Sequence, residues 1–198
     1  MTFRVGQQDR RSLRLPEYDY SGPGAYFLTL CLQDRECLFG DVVNADMYLN
    51  RLGRIAWEEW VRSAELRPGI ALDVFVVMPN HLHGIVLFNP TPDDKAKVAG
   101  YPDPVVGAHS CAPLQCHAPL QRPRRSLGSF VAGFKSTVTK RVNQVRGTPG
   151  RPLWQRNYFE HIIRTERALV PIREYILSNP QHWTLDIENP SRVREHFR

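Results

Sequence analysis

The 198-residue sequence predicts an α+β fold, an antiparallel sheet flanked by helices. Three observations carry that expectation. Two apolar runs, at 71–77 and 81–88, are separated only by Met78-Pro79-Asn80, a tight turn that leaves them as successive strands. Two other stretches, Leu49 to Val61 and Leu127 to Val142, repeat apolar residues at helical spacing. The elements follow in the order β-β-α-β-β-α-β-α, which suits a sheet carrying helices.

Residues 1–24 are polar and basic and end in the turn cluster "SGPG", so they read as an arm. "AYFLTLCL" (25–32) is apolar on both faces apart from Thr29, the signature of a central strand. "CLFGDVV" (37–43) is its expected partner. Leu49, Leu52, Ile55, Ala56, Trp60 and Val61 mark a helix that Arg67-Pro68-Gly69 stops. Residues 89–125, rich in Pro and Ala and containing "APLQ" twice, read as a mobile loop. A second helix shows Leu127, Phe130, Val131, Phe134, Val138 and Val142 on one face, with Lys135, Lys140 and Arg141 mostly outside that stripe. "LWQRNYFEHIIR" (153–164) suggests a strand. A last helix covers much of 166–178 and ends at Ser178-Asn179-Pro180; Pro171 requires it to start nearby or to kink. Residues 25–198 are thus expected to form one domain.

Lys and Arg number 26 against 20 acids, and the formal charge of +6 favours a polyanionic partner. No run of about 18 apolar residues suggests a membrane span. The N-terminus has no apolar secretory segment, so a cytoplasmic protein is expected. Cys31, Cys37, Cys111 and Cys116 fit no standard zinc spacing and read as free thiols; His109, Cys111, Cys116 and His117 make a weak zinc candidate at best.

The chemistry is concentrated in "VVMPNHLHGIVLF". On a strand, His81 and His83 share a face while Leu82 points into the core. Two such imidazoles can supply two adjacent ligands for a divalent metal, although a pair of half-exposed strand histidines fits the same motif. No carboxylate stands at a tight spacing to complete the set. Near the C-terminus, Tyr175 and Asn179 are four apart and would share a helix face, where a phenol and an amide oxygen could meet that metal. A packed tyrosine and a helix-terminating asparagine are the plainer alternatives. Arg10, Arg11 and Arg14 form one basic cluster; Arg122, Arg124, Arg125, Lys135, Lys140 and Arg141 form another. Each suits either DNA phosphates or a solvated face. Trp154, Tyr158, Phe159 and Trp183 could stack on unpaired bases or belong to the core.

Four stretches in order, "RRSLRLPEYDYSGPGAYFLTLC", "VVMPNHLHGIVLF", "LWQRNYFEHIIR" and "REYILSNP", together with the "GSFVAGFKS" helix, resemble the HUH-type single-tyrosine transposases, specifically the REP-associated tyrosine transposases. The resemblance spans nearly the whole chain. It implies a ferredoxin-like sheet of the HUH endonuclease type, with His81 and His83 on Mg²⁺ or Mn²⁺, Asn179 completing the metal shell and Tyr175 as nucleophile. Tyr158 would then be a structural or DNA-facing aromatic. The implied reaction cleaves and rejoins single-stranded or hairpin DNA through a 5′-phosphotyrosine, as in DNA transposition, with a monomer favoured over a homodimer. A domesticated protein that binds repeat hairpins without cutting, and a phosphoesterase that uses water, are the competing readings. Pro171 and the 89–125 segment depart from the family pattern.

Overall fold

The computed structural model describes Tyr18, Tyr20 and residues 23–88 and 126–192. Most of the expected basic arm, the whole 89–125 segment, Arg10, Arg11, Arg14, Arg122, Arg124, Arg125 and the His109–His117 group lie outside the described residues.

The apolar blocks form strands where their patterns place them. In chain order the elements are β1 (Gly24–Cys31), β2 (Gly40–Val43), β3 (Asp46–Leu49), α1 (Arg51–Glu65), β4 (Ile70–Val77), β5 (His81–Phe88), α2 (Leu127–Arg146), β6 (Phe159–Ile163) and α3 (Glu166–Leu177). A 3₁₀ turn over Pro180–Leu185 follows. The main sheet has the order β4-β5-β1-β6 with every neighbouring pair antiparallel. β1, apolar on both faces, lies inside it, as expected.

The segment at 37–43 is a correction. Both edges of β1 are occupied, by β5 and β6, so β2 pairs instead with β3 in a separate ribbon. Asn44 and Ala45 turn that ribbon with φ of 52° and 68°, the left-handed pair that a two-residue hairpin demands. The last apolar strand is also shorter than 153–164: Trp154 makes one isolated bridge to Leu32, and regular pairing begins only at Phe159.

The two faces of the sheet carry different layers. Tyr26, Leu28, Leu30, Leu82 and Val86 point into the larger core beneath α1 and α2. Phe27 and Ile85 point the other way, against Ile172 and Ile176 of α3. Gly84 lets the first layer close, because a Cβ there would sit 2.6 Å from the ring of the fully buried Trp60. One extra residue between Leu72 and Phe75 bulges β4. There Asp73 meets Arg173 of α3 in a bidentate pair.

The helix ends follow capping chemistry. The Asn50 side chain accepts from the backbone N–H of Leu52 and Gly53. Ser126 and Ser129 form a reciprocal capping box at the start of α2, and Gly147 ends that helix in the left-handed region at φ 64°. α3 runs unbroken from Glu166, so Pro171 lies inside it rather than at its start. The proline leaves the Arg167 carbonyl without its intrahelical donor.

Candidate active site

Antiparallel register sets His83 opposite Thr29 and His81 opposite Cys31. Alternation then turns both imidazoles to the face covered by α3, where His81 is 0% and His83 2% exposed. Their ring centroids lie 4.5 Å apart. They are fully enclosed, in place of the half-exposed strand pair that the motif alone also allowed. Each Nδ1 has a neighbour: Asn80 Oδ1 stands 2.8 Å from that of His81, and Thr29 Oγ1 stands 2.9 Å from that of His83. Both Nε2 atoms are left to face the site.

Tyr175 comes from α3. Its hydroxyl lies 3.3 Å from His83 Nε2, and its ring packs edge-on against both Phe27 and His83. Asn179 is two residues past the end of α3, yet its φ and ψ of −57° and −42° are helical, so it remains one turn beyond Tyr175. Its side chain is buried. Nδ2 donates to Asp186 Oδ2 at 3.1 Å, while Oδ1 has no hydrogen-bond partner among the described residues. The Arg173–Asp73 pair fastens the same helix to β4 two residues before Tyr175.

Asp186 was not anticipated from the sequence. One ligand atom each from His81, His83 and Asp186 lie within 4.8 Å of one another. A carboxylate has about four acceptor positions. Asp186 uses its oxygens on Asn179 and on the backbone N–H of Glu188, which leaves capacity toward the histidines.

This donor set fits a divalent cation. His81 Nε2 and Asn179 Oδ1 are both buried and unpartnered among the described residues, a costly state unless something else binds them. Two imidazole nitrogens, a carboxylate and an amide oxygen form a mixed set suited to a transition-series ion. The imidazoles are already neutral, as ligands must be. Burial pulls His81 down to about 4, against the opposing pull of Asp186 and of the neighbouring Asn179 side chain. Burial, and then the neighbouring His81, hold His83 well below the usual imidazole range. Burial pushes the Tyr175 phenol up, and the negative charges of Asp186 and Glu188 push it further. The phenol therefore keeps its proton in this state.

The proposed DNA contacts divide. Lys140 is exposed on α2. Lys135 turns inward: its ammonium donates to the carbonyls of Gln155 (2.8 Å) and Asn157 (3.1 Å) and lies over the Tyr158 ring. Burial lowers it to about 8. Arg141 bridges α2 to α1, bonding Glu58 at 2.8 Å and Glu59 at 2.7 Å. Tyr158, half-buried against the larger core, stands just before β6 rather than within it. Trp154 is a core residue between Phe39 and Phe134. Trp183 is the sequence-noted aromatic beside the histidines, with its ring 6.0 Å from that of His81. Thr29 and Glu188 likewise had no signal in the sequence that tied them to the site. Asn80 carried a signal, its place directly before His81, but a turn residue explains that place equally well.

No protein-family model matches the chain. An uncharacterized protein of Haemophilus influenzae is 37% identical over 187 residues, covering 93% of this chain and 95% of its own. Among solved structures, a REP-associated tyrosine transposase bound to a REP hairpin superposes with a TM-score of 0.52 and 18% identity, over 87% of this chain and 74% of that one. In none of the described helices is there a stretch long and apolar enough to cross a membrane. The chain thus belongs to one family with the Haemophilus influenzae protein, and its antiparallel sheet flanked by helices is the fold of the REP-associated tyrosine transposase.

Proposed function

We propose that this protein is a DNA strand transferase that cleaves and rejoins single-stranded hairpin DNA through Tyr175, with Mg²⁺ or Mn²⁺ held by His81, His83, Asn179 and Asp186. One observation carries the reading. A phenol on α3 reaches 3.3 Å from a buried histidine pair, and His81 Nε2 and Asn179 Oδ1 beside it make no hydrogen bond of normal geometry among the described residues. The fold supports it, since a REP-associated tyrosine transposase has been captured on a REP hairpin with the same architecture.

In the reaction, the Tyr175 oxygen attacks a backbone phosphorus. The bond from phosphorus to the 3′-oxygen breaks, leaving a 5′-phosphotyrosine and a 3′-hydroxyl that takes up a proton. A 3′-hydroxyl later attacks the phosphotyrosine, restores the phenol and completes transfer, so the diester's energy is conserved without ATP. Phe27 and His83 hold the phenol ring in place, and α3, tied to β4 by Arg173 and Asp73, fixes its reach. His83 Nε2 is the phenol's hydrogen-bonding neighbour before substrate arrives. When bound, the cation supplies Lewis-acid pull on a non-bridging phosphate oxygen and offsets the Asp186 charge that disfavours a phenolate. Imidazole and carboxylate together suit Mn²⁺ better than Mg²⁺. Trp183 offers a face for an unpaired base next to the scissile phosphate.

The test is incubation with end-labelled hairpin DNA and Mn²⁺, followed by denaturing gels. A protein–DNA adduct that disappears in Tyr175→Phe is the expected result. Cleavage without an adduct would assign the work to water, and retention without cleavage would make the protein a hairpin binder.

A further inference from the structure

We propose that Asn80 is the positioning residue of this site. It fixes which nitrogen His81 presents and, through the carbonyl of Glu188, where the Asp186 carboxylate sits. The cation-binding half of this inference rests on the reading above; the histidine half does not.

Asn80 closes the turn between β4 and β5 and is 1% exposed. Its own carbonyl accepts from Leu32 N at 2.8 Å, which pins its backbone to the segment after β1. The side-chain nitrogen Nδ2 donates to two carbonyls, Arg35 O at 3.2 Å and Glu188 O at 2.7 Å. A carbonyl can only accept, so the nitrogen has to face them and Oδ1 has to face His81 Nδ1. Oδ1, too, can only accept, so the proton of His81 resides on Nδ1. The Nε2 lone pair is then the one turned into the site, on the atom that lacks a described partner. His83 has no equivalent. The hydroxyls of Thr29 and Tyr175 flank it, and each can donate or accept.

The second arm reaches Asp186. Glu188 N donates to Asp186 Oδ1 at 2.7 Å, so holding the Glu188 carbonyl also holds the carboxylate's support. Arg35 grips the same segment with its guanidinium, on Ile187 O at 3.3 Å and the Glu188 carboxylate at 3.0 Å. Asp34 and Arg35 take φ of 54° and 55°, an uncommon left-handed turn that presents the Arg35 carbonyl to Asn80. Three segments distant in sequence therefore meet on one amide.

The experiment uses the full-length chain without metal, ¹⁵N-labelled, and then titrates it with Mn²⁺. In the wild type the His81 proton is expected on Nδ1. In Asn80→Ala, His81 should become a mixture of tautomers and Mn²⁺ affinity should fall by about 10- to 100-fold. Asn80→Asp keeps an acceptor for Nδ1–H but no pair of donors for the carbonyls. It should restore the tautomer and only part of the affinity. A wild-type proton on Nε2, or a folded Asn80→Ala unchanged in both tautomer and affinity, overturns the proposal. Full recovery in Asn80→Asp overturns the Glu188 arm. Should Asn80→Ala fail to fold, the wild-type spectrum and Asn80→Asp still decide. If the wild type binds no Mn²⁺, the metal reading falls while the tautomer spectra still judge Asn80.

Discussion

On one face of the main sheet, Trp60, Phe130 and Phe134 close over Gly84 in an apolar layer. On the other, α3 lays Tyr175 over Phe27 and His83, and the turn beyond it brings Asn179 and Asp186 to the histidines. The strands are shared, so residues one position apart serve opposite ends. Leu82 seals the first layer while His81 and His83 arm the second. The first face gains stability by burying apolar area. The second gives some of that up by burying two imidazoles and an amide in place of apolar side chains. The contrast gathers His81, His83 and Asp186, the side chains able to ligate a cation, on one face.

Substitutions should separate the two faces. His81→Ala removes a proposed ligand and should lower hairpin cleavage by more than about 100-fold, while a mobility-shift assay shows hairpin binding nearly intact. Loss of both in a folded protein would contradict the metal role. Trp60→Ala acts on the opposite face and should cost about 3–5 kcal/mol in denaturant unfolding, because a large buried ring leaves a cavity.

Acidification probes the histidine face directly. The folded His81 titrates at about 4 against an ordinary 6.5, so between those values the unfolded chain holds the extra proton. Stability is therefore full above 6.5 and is lost as pH falls toward 4, by at most about 1.4 kcal/mol per pH unit for this group. His81→Gln should show a shallower decline over that window in pH-dependent melts. The smallest effect belongs to Arg141→Gln, which parts α2 from α1. Its guanidinium is partly solvated, so the loss should be about 1 kcal/mol, with hairpin affinity unchanged.

That last substitution shows where sequence reading stops. Helical spacing correctly set Arg141 outside the apolar stripe of α2, but nothing along the chain reveals that Glu58 and Glu59 of α1 wait opposite. Apolar blocks were the most legible signal: β1, β4, β5 and the stripe of α2 lie where their side-chain periods place them. The β2–β3 ribbon was less so, because Asn44-Ala45 lacks the glycine that advertises a two-residue turn. In the site, a period of two put His81 and His83 on one face and a spacing of four put Tyr175 and Asn179 on another, but only the family resemblance marked them as site residues. Asp186 was hidden because it joins the histidines by folding alone, more than a hundred residues further on. Asn80 was hidden because its role lies in an amide orientation that only its three partners define.

The central claim is that the α3 face holds a cation next to the Tyr175 hydroxyl. Anomalous diffraction from crystals soaked in Mn²⁺ tests it most directly. The account predicts a single strong peak bounded by His81 Nε2, His83 Nε2, Asn179 Oδ1 and the Asp186 carboxylate, which disappears in His81→Ala. A peak elsewhere, or none between the histidines at saturating Mn²⁺, would contradict it.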